Sequence, residues 1–550
     1  MSKKPKAPRN PNTYTPKERN LYLLGTVGQN MIYNIINTGL VYYLGQVIFI
    51  PAMATSVIFA VARIWDAIND PMMGTICDHT HSKWGKCKPY LMFVPGVVCI
   101  ITILTFINAQ YSETGSLSSK VFIIGWAGLS YILYGMSYTA GDIPLWGVTA
   151  LMTDDEKQRA NLLSLARIAA GLGGGLALLT IVNVSQALGR VLMERMDDPA
   201  TAMQYGFIIV AVVMTLISTA LFQCAGAVKE RVPQSERHYT LKENFQVMWR
   251  NKPFRKILIS AILRSPFQLL TLIAITLLSY YYGNGGRDDY TLYLLFLGAA
   301  IFGGQFIAMA FAPALASKFE KKKVFNFCNF LSGIPFALIF VVYLIAPQDL
   351  DKWSWLCVLF VLFALAGAGT GVVNVLQSVM IADCVDYEEY TTGVRPDGVF
   401  FSGQSFATKF GSGLSSIIQG VVYTLIGFSG DGVARVNEVL LPKDSTVLFK
   451  EAYPEIAMAM FFLVSIPPAI GCLLSIIPTW KYPLTNKEHA KILEFLRVRR
   501  IVAKEKGIDV GKVTEAEVIE TAEKSGINLE PVSEDLASVA AKARIHNSNN

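Results

Sequence analysis

Apolar residues along this 550-residue chain arrive in blocks of about twenty, the length at which an α-helix crosses ~30 Å of hydrocarbon. In lipid every backbone N–H and C=O must be paired within the protein, so a chain of such blocks is confined to membrane-spanning helices. Twelve blocks stand out, at roughly 21–44, 50–77, 89–109, 121–152, 160–187, 204–227, 255–282, 290–316, 324–346, 353–382, 398–428 and 455–480. Hydrophobic types make up 52% and charged types only 16%, which excludes a soluble enzyme. The net charge of +7 comes from Lys and Arg at block edges, where they act as orientation signals, so no nucleic-acid partner is expected. The eight cysteines show no paired spacing, and Cys99, Cys224, Cys357 and Cys472 fall inside apolar blocks, where a thiol behaves as a small hydrophobe; neither a disulfide framework nor a metal site follows.

Loop charge sets the orientation. The basic, Pro-rich start "MSKKPKAPRNPNTYTPKERN" is followed by an apolar run too long and too polar on one face for a cleavable signal, so it is expected to stay attached, on the cytoplasmic side. The inner loops then hold Lys83, Lys86 and Lys88, eight basic residues from Lys229 to Lys256, and Lys318, Lys321, Lys322 and Lys323. The reading is an all-α membrane protein of twelve transmembrane helices in two six-helix halves, of major-facilitator type, with both termini cytoplasmic, at the plasma membrane. Its divisions are a tail 1–20, a half 21–227, a middle loop 228–254, a half 255–480 and a tail 481–550. In the middle loop "TLKENFQVMWR" offers Thr240 and Glu243 as a capping box, with Leu241, Phe245, Met248 and Trp249 on one face of an amphipathic helix at the membrane surface. The C-terminal tail, with "KEHAKILEFLRVRR" as a short helix, reads as solvated or partly disordered.

Charges inside spans carry the functional signal, since each costs about 2.5–3.5 kcal/mol on insertion scales unless it faces a partner or water. "VARIWDAINDPMMGTICD" places Arg63, Asp66 and Asp70 at i, i+3 and i+7, on one helical face. Two carboxylates ~6 Å apart repel by roughly 3 kcal/mol at an effective dielectric of 20, about two pKa units. A cation at Asp66 and Asp70 relieves that, either sodium or a shared proton, with Asn69 adding a neutral oxygen. The bland alternative, an Arg63–Asp66 pair that fixes helix packing, leaves Asp70 over.

"YGMSYTAGDIPLWGVTALM" repeats the spacing with Thr139, Asp142 and Trp146. A carboxylate that accepts hydroxyl hydrogen bonds beside an aromatic ring is suited to a sugar, and Thr139 could instead turn toward the cation. Arg167 and, in "FSGQSFATKFGSG", Lys409 are further deep cations; Lys409 could meet the acids of the first half. Span one carries Gln29 and a stripe of Asn30, Asn34 and Asn37, facing a cavity or bonding a neighbouring helix. Arg264 is deep if its span starts near 255 and interfacial if it starts near 266.

These segments resemble a family, the glycoside–pentoside–hexuronide:cation symporters of the melibiose-permease type. The resemblance rests on "RIWDAINDPMMG" with "SKWGKCKPY", on "DIPLW", and on "ADCVDYEEYTTGVRPDG" with "FSGQSFATKFGSG", in order through about residues 20–480. It implies a secondary active carrier in which Asp66, Asn69, Asp70 and Thr139 bind the coupling sodium, lithium or proton. It assigns Asp142, Trp146, Arg167 and Lys409 to sugar recognition or coupling, with Tyr138 and Gln404 beside them, and Lys86, Arg159, Asp383 and Arg395 to cytoplasmic gating. The pattern departs at Asn30, where the melibiose carrier has an acid, and at Asn374, where it has a tryptophan; pentoside, hexuronide, glucoside and other glycosides all stay open. Some members carry a fused phosphotransferase regulatory domain on a much longer tail, and the resemblance leads to the expectation of none here.

The expectation is therefore a carrier, without covalent chemistry or cofactor, that moves a small glycoside inward with sodium or a proton. Its partners would be the glycoside, the coupling cation and membrane lipid, with a soluble cytoplasmic regulator left open and the monomer as the working unit. The competing readings are a proton-coupled carrier of amphipathic or lipid-like molecules in the same fold, and a sugar sensor that does not transport.

Overall fold

The structure, a computed structural model, describes residues 14–78, 80, 82–153, 156–231, 241–393, 397–442, 445–508, 513–525, 527 and 529–533. Among these, regular structure is helical throughout apart from one isolated bridge between Ser82 and Gly85. The chain begins with α1 (Pro16–Asn34), α2 (Ala52–Asp78), α3 (Lys88–Phe106), α4 (Leu117–Met152), α5 (Glu156–Met193) and α6 (Pro199–Gln223). It continues with α7 (Leu241–Arg250), α8 (Lys252–Leu263), α9 (Gln268–Tyr281), α10 (Thr291–Lys318), α11 (Lys321–Ile345) and α12 (Trp353–Thr392). The last are α13 (Asp397–Leu425), α14 (Asp431–Leu440), α15 (Phe449–Ala452), α16 (Pro454–Leu474), α17 (Ile476–Trp480), α18 (Asn486–Lys506) and α19 (Glu515–Lys524).

Local chemistry sets many of these ends. Thr15 and Glu18 form a reciprocal capping box at the start of α1, with Pro16 in its first turn. Asp198 caps α6, and Gly393, at φ 77°, ends α12 in the left-handed conformation that glycine adopts without strain. After α1 the backbone winds wider, as π-helix over Ile35–Leu40 and Tyr43–Val47.

Ten helical stretches among the described residues, from Ala52–Gly74 to Pro454–Trp480, are long and apolar enough to cross a membrane. The expected first and eleventh spans are also helical but are not among the ten: α1 stops at Asn34 with its polar stripe, and α13 is rich in Ser, Thr and Gln.

Two compact units emerge. The first comprises Met1–His238, Gln268–Leu295 and Ser412–Val464, and the second Tyr239–Phe267, Phe296–Gly411 and Ser465–Asn550. The first break, at His238/Tyr239, falls inside the expected middle loop 228–254, while Gln268–Leu295 and Ser412–Val464 group with the first unit. Segments from beyond the middle loop join the first unit through buried hydrogen bonds: Tyr42 Oη with Ser279 Oγ at 2.9 Å, Gln186 to both, and Tyr280 to Asn437, which donates to the Gln46 carbonyl. Within that unit α1 packs on α5 and α6, and α2 and α3 pack on α4. The backbones come close: a Cβ at Gly173 of α5 would collide with the Val27 carbonyl of α1.

In the second unit α11 and α12 pair closely, and Gly371 of α12 lies against the Gln305 carbonyl of α10. Met248 of α7 is buried with Phe254, while Trp249 is exposed; α7 thus docks by part of its expected apolar face, and its Thr240/Glu243 capping box lies outside the described residues. The C-terminal tail differs from the expectation. Ile492, Leu496 and Val502 of α18 are buried with Cys384, Val385 and Tyr387 of α12, and α19 buries Val518 and Ala522 in the same core. The mixed charge that suggested a solvated tail supplies the docking contacts: Arg500 bonds both Glu389 carboxylate oxygens at 2.9–3.0 Å, and His489 Nε2 lies 2.9 Å from Asp386.

Candidate functional site

On α2 the i, i+3, i+7 spacing is realised as three distinct environments. Arg63 Nη1 lies 3.3 Å from Asp66 Oδ2, and its Nη2 donates to Asn37 Oδ1 on the π-helical segment after α1. Asp66 reaches over α4 at Gly135, where a Cβ would sit only 2.8 Å from its Oδ1. One turn on, Asp70 accepts a hydrogen bond from Thr139 Oγ1 at 3.1 Å, again on α4. Two carboxylates on α2 thus face residues 135 and 139 on α4, turn against turn. Asn69, 6% exposed, has a buried amide nitrogen without a hydrogen-bond partner. Arg63, Asp66 and Asp70 sum to one negative charge on this face of α2, and the oxygens gathered there are hard ligands of the kind alkali cations take.

Further along α4 a second group forms. Trp146 Nε1 donates to Asp142 Oδ1 at 3.0 Å, and the Arg167 guanidinium of α5 lies over the indole ring at 4.7 Å. Gln29 of α1 donates to the same Asp142 oxygen at 2.6 Å and to the Tyr138 hydroxyl. Asn30 donates to Gln29 Oε1 at 2.5 Å and to the Thr26 carbonyl at 3.1 Å, holding the glutamine in place. Asn34 and Asn37 donate to carbonyls one turn back on their own helix. The rings of Tyr33, Tyr138, Tyr134 and Tyr131 follow one another at 5.5–6.2 Å between centroids. The hydrogen-bonded acid and the indole therefore stand within two turns of Thr139 on α4, and α5 supplies the stacked cation.

In the second unit Asn374 accepts from Arg264 Nη1 at 2.9 Å, and Gln404 donates to Ser378 at 3.4 Å. Lys409 is half-buried on α13. Arg264 falls within the candidate span Lys252–Tyr281, whose start lies nearer the first of the two expected starts. Asp383 is buried at the end of α12, bonded by Lys321 Nζ at 2.5 Å and 3.5 Å from His489 Nδ1. The Lys86 amide donates to Glu230 at 2.7 Å, and Cys87 and Lys88 add theirs, so one carboxylate caps the start of α3. Arg395 and the Arg159 side chain lie outside the described residues.

Sequence reasoning missed the bridging role of Gln29, the glycine at 135, and the partners Lys321 and His489. Gln29 was visible as a polar residue in an apolar span; the rest depends on which helices pair, which spacing along one helix does not encode.

A sequence profile described as MFS/sugar transport protein matches residues 21–486. The "Isoprimeverose transporter" of Lactiplantibacillus pentosus is 27% identical over 420 residues, covering 75% of this chain and 80% of that one. The "Glucuronide carrier protein homolog" of Escherichia coli K12 is 25% identical, covering 86% and 93%. Among solved structures, a bacterial homologue of the human lysosomal transporter Spinster aligns with TM-score 0.54 at 13% identity, covering 85% and 97%, a likeness of fold. The chain therefore belongs to the MFS/sugar transport protein family, as a multi-pass transporter of the plasma membrane and not an enzyme.

Proposed function

We propose that this chain is a cation-coupled symporter of the glycoside–pentoside–hexuronide type, with twelve spans in two six-helix halves and cytoplasmic termini, importing a small sugar derivative with sodium or a proton. One observation carries the reading: α4 presents Thr139, bonded to Asp70 of α2, and Asp142 with Trp146 one to two turns away. A cation held by Asp66, Asn69, Asp70 and Thr139 would neutralise the single negative charge on that face. It would also fix the rotation and depth of α4, and with them the Asp142 carboxylate and indole that meet the sugar.

The coupling follows from that shared helix. Without the cation the two carboxylates of α2 repel one another and loosen the α2–α4 register that positions the sugar groups; with it bound, sugar affinity rises, and by linkage the sugar raises cation affinity equally. Asn30 and Gln29 hold the inner edge of the sugar group, Arg167 stacks on Trp146, and Asn374, Gln404 and Lys409 would complete recognition from the other half. Lys86, Asp383, Arg159 and Arg395 would serve the cytoplasmic gate. Transport proceeds by rocking of the halves, and the cation gradient gives direction.

Uptake of labelled glycosides into proteoliposomes, with sodium and pH gradients imposed separately, tests this. Accumulation driven by one of the two gradients is expected; equal uptake with neither gradient imposed would overturn the coupling.

A further inference from the structure

Arg264 is the thirteenth residue of the thirty-residue apolar stretch Lys252–Tyr281, which places it ~18 Å along the helix axis from the start of that stretch. It is 8% exposed, and among the described residues no carboxylate forms an ion pair with it. One of its five N–H donors reaches Asn374 Oδ1; Nε and Nη2 are buried without a hydrogen-bond partner. The guanidinium otherwise meets the Phe267 ring, 5.5 Å from its centroid, and the Cys472 thiol. A cation at that depth is among the costliest side chains to place, and those present are ordinarily paired or functional.

The local backbone explains how such a group can serve a passing ligand. α8 ends at Leu263 with Arg264 as its C-cap, a single 3-10 turn runs Ser265–Phe267 around Pro266, and α9 starts at Gln268. Pro266 has no N–H to give, so the break costs no helical hydrogen bond there. Discontinuous helices at mid-membrane are where carriers bind their cargo.

We propose that the missing counter-ion arrives with the cargo: Arg264, steadied by Asn374, receives an oxyanion, carboxylate or sulfonate, carried on the transported sugar. The guanidinium fork fits either group bidentately. This rests on the carrier reading above and narrows its substrate class to acidic glycosides.

The test uses the full chain in proteoliposomes with four probes: methyl β-D-glucuronide, its uncharged glucuronamide, methyl β-D-glucoside, and the corresponding 6-sulfonate glycoside. Wild type is expected to take up one of the two anions at least tenfold better than the amide, and whichever is preferred identifies the oxyanion. Arg264→Gln is expected to bring the anion-to-amide ratio to about one. Asn374→Asp, which keeps the arginine but supplies a built-in carboxylate, is expected to do the same, so the test survives if Arg264→Gln fails to fold. A wild type that handles charged and uncharged probes alike, or a preference that persists in either variant, overturns the inference. If wild type moves only neutral probes, this inference falls alone; if it moves none under either gradient, the sugar-carrier reading falls with it.

Discussion

Asp66 and Asp70 lie one helical turn apart, yet their first partners differ in kind: a guanidinium for Asp66 and a hydroxyl for Asp70. Hydroxyl oxygens and carboxylates are shared readily with an alkali cation or a proton, whereas Arg63 is a standing positive charge that a second cation must avoid. Gly135 is what allows Asp66 to lie across α4, so Gly135→Ala should displace the carboxylate and weaken cation affinity about tenfold, roughly 1.4 kcal/mol. Cation titration of the purified variant checks this, with a melting curve showing that the fold is retained; unchanged affinity would contradict it. Trp146→Phe keeps an aromatic ring but deletes the N–H donated to Asp142, a charge-assisted bond of about 1.5–3 kcal/mol. Sugar affinity should fall about tenfold or more while the cation titration stays near wild type. At this scale the sequence was informative wherever one helix holds the whole pattern: Arg63, Asp66 and Asp70, or Thr139, Asp142 and Trp146. It was silent on Gln29 joining Tyr138 to Asp142, because that contact crosses helices.

Helices were legible as apolar blocks, and caps such as Thr15 with Glu18 sharpen their ends. Glu18 also ties α1 to Arg231, 2.8 Å away, beyond α6. Burial raises the Glu18 pKa, but the Thr15 amide and Arg231 outweigh it, leaving the carboxyl below its ordinary value. A depressed carboxylate contributes stability above the unfolded pKa and loses it as pH falls through the folded one. Glu18→Gln should therefore melt below wild type at pH 7, and the gap should close in the acidic range below about pH 4; a gap independent of pH would reject the ion pair. The tail shows what composition hides. α18 alternates charged and apolar residues, and its apolar stripe of Ile492, Leu496 and Val502 reads as weak amphipathicity until α12 is placed beneath it. The π-helical turns after α1 left no sequence signal either; they bring Asn37 to Arg63, a contact that only the packed helices define.

For the whole molecule, hydropathy sufficed for an all-helical membrane protein, and the family match agrees with the carrier class read from its motifs. That Gln268–Leu295 and Ser412–Val464 group with the first unit was not legible, because buried polar contacts such as Tyr42–Ser279 and Tyr280–Asn437 draw distant segments together without any local pattern. The central claim is that one monovalent cation at Asp70 and Thr139 sets sugar affinity through α4. The most direct measurement is the dissociation constant of a transported sugar on purified protein, titrated with sodium and separately with pH, for wild type and Asp70→Asn. Wild type should bind at least tenfold more tightly as one of those cations saturates, and Asp70→Asn should bind with an affinity indifferent to both. Cation-dependent tightening that survives in Asp70→Asn would contradict the account.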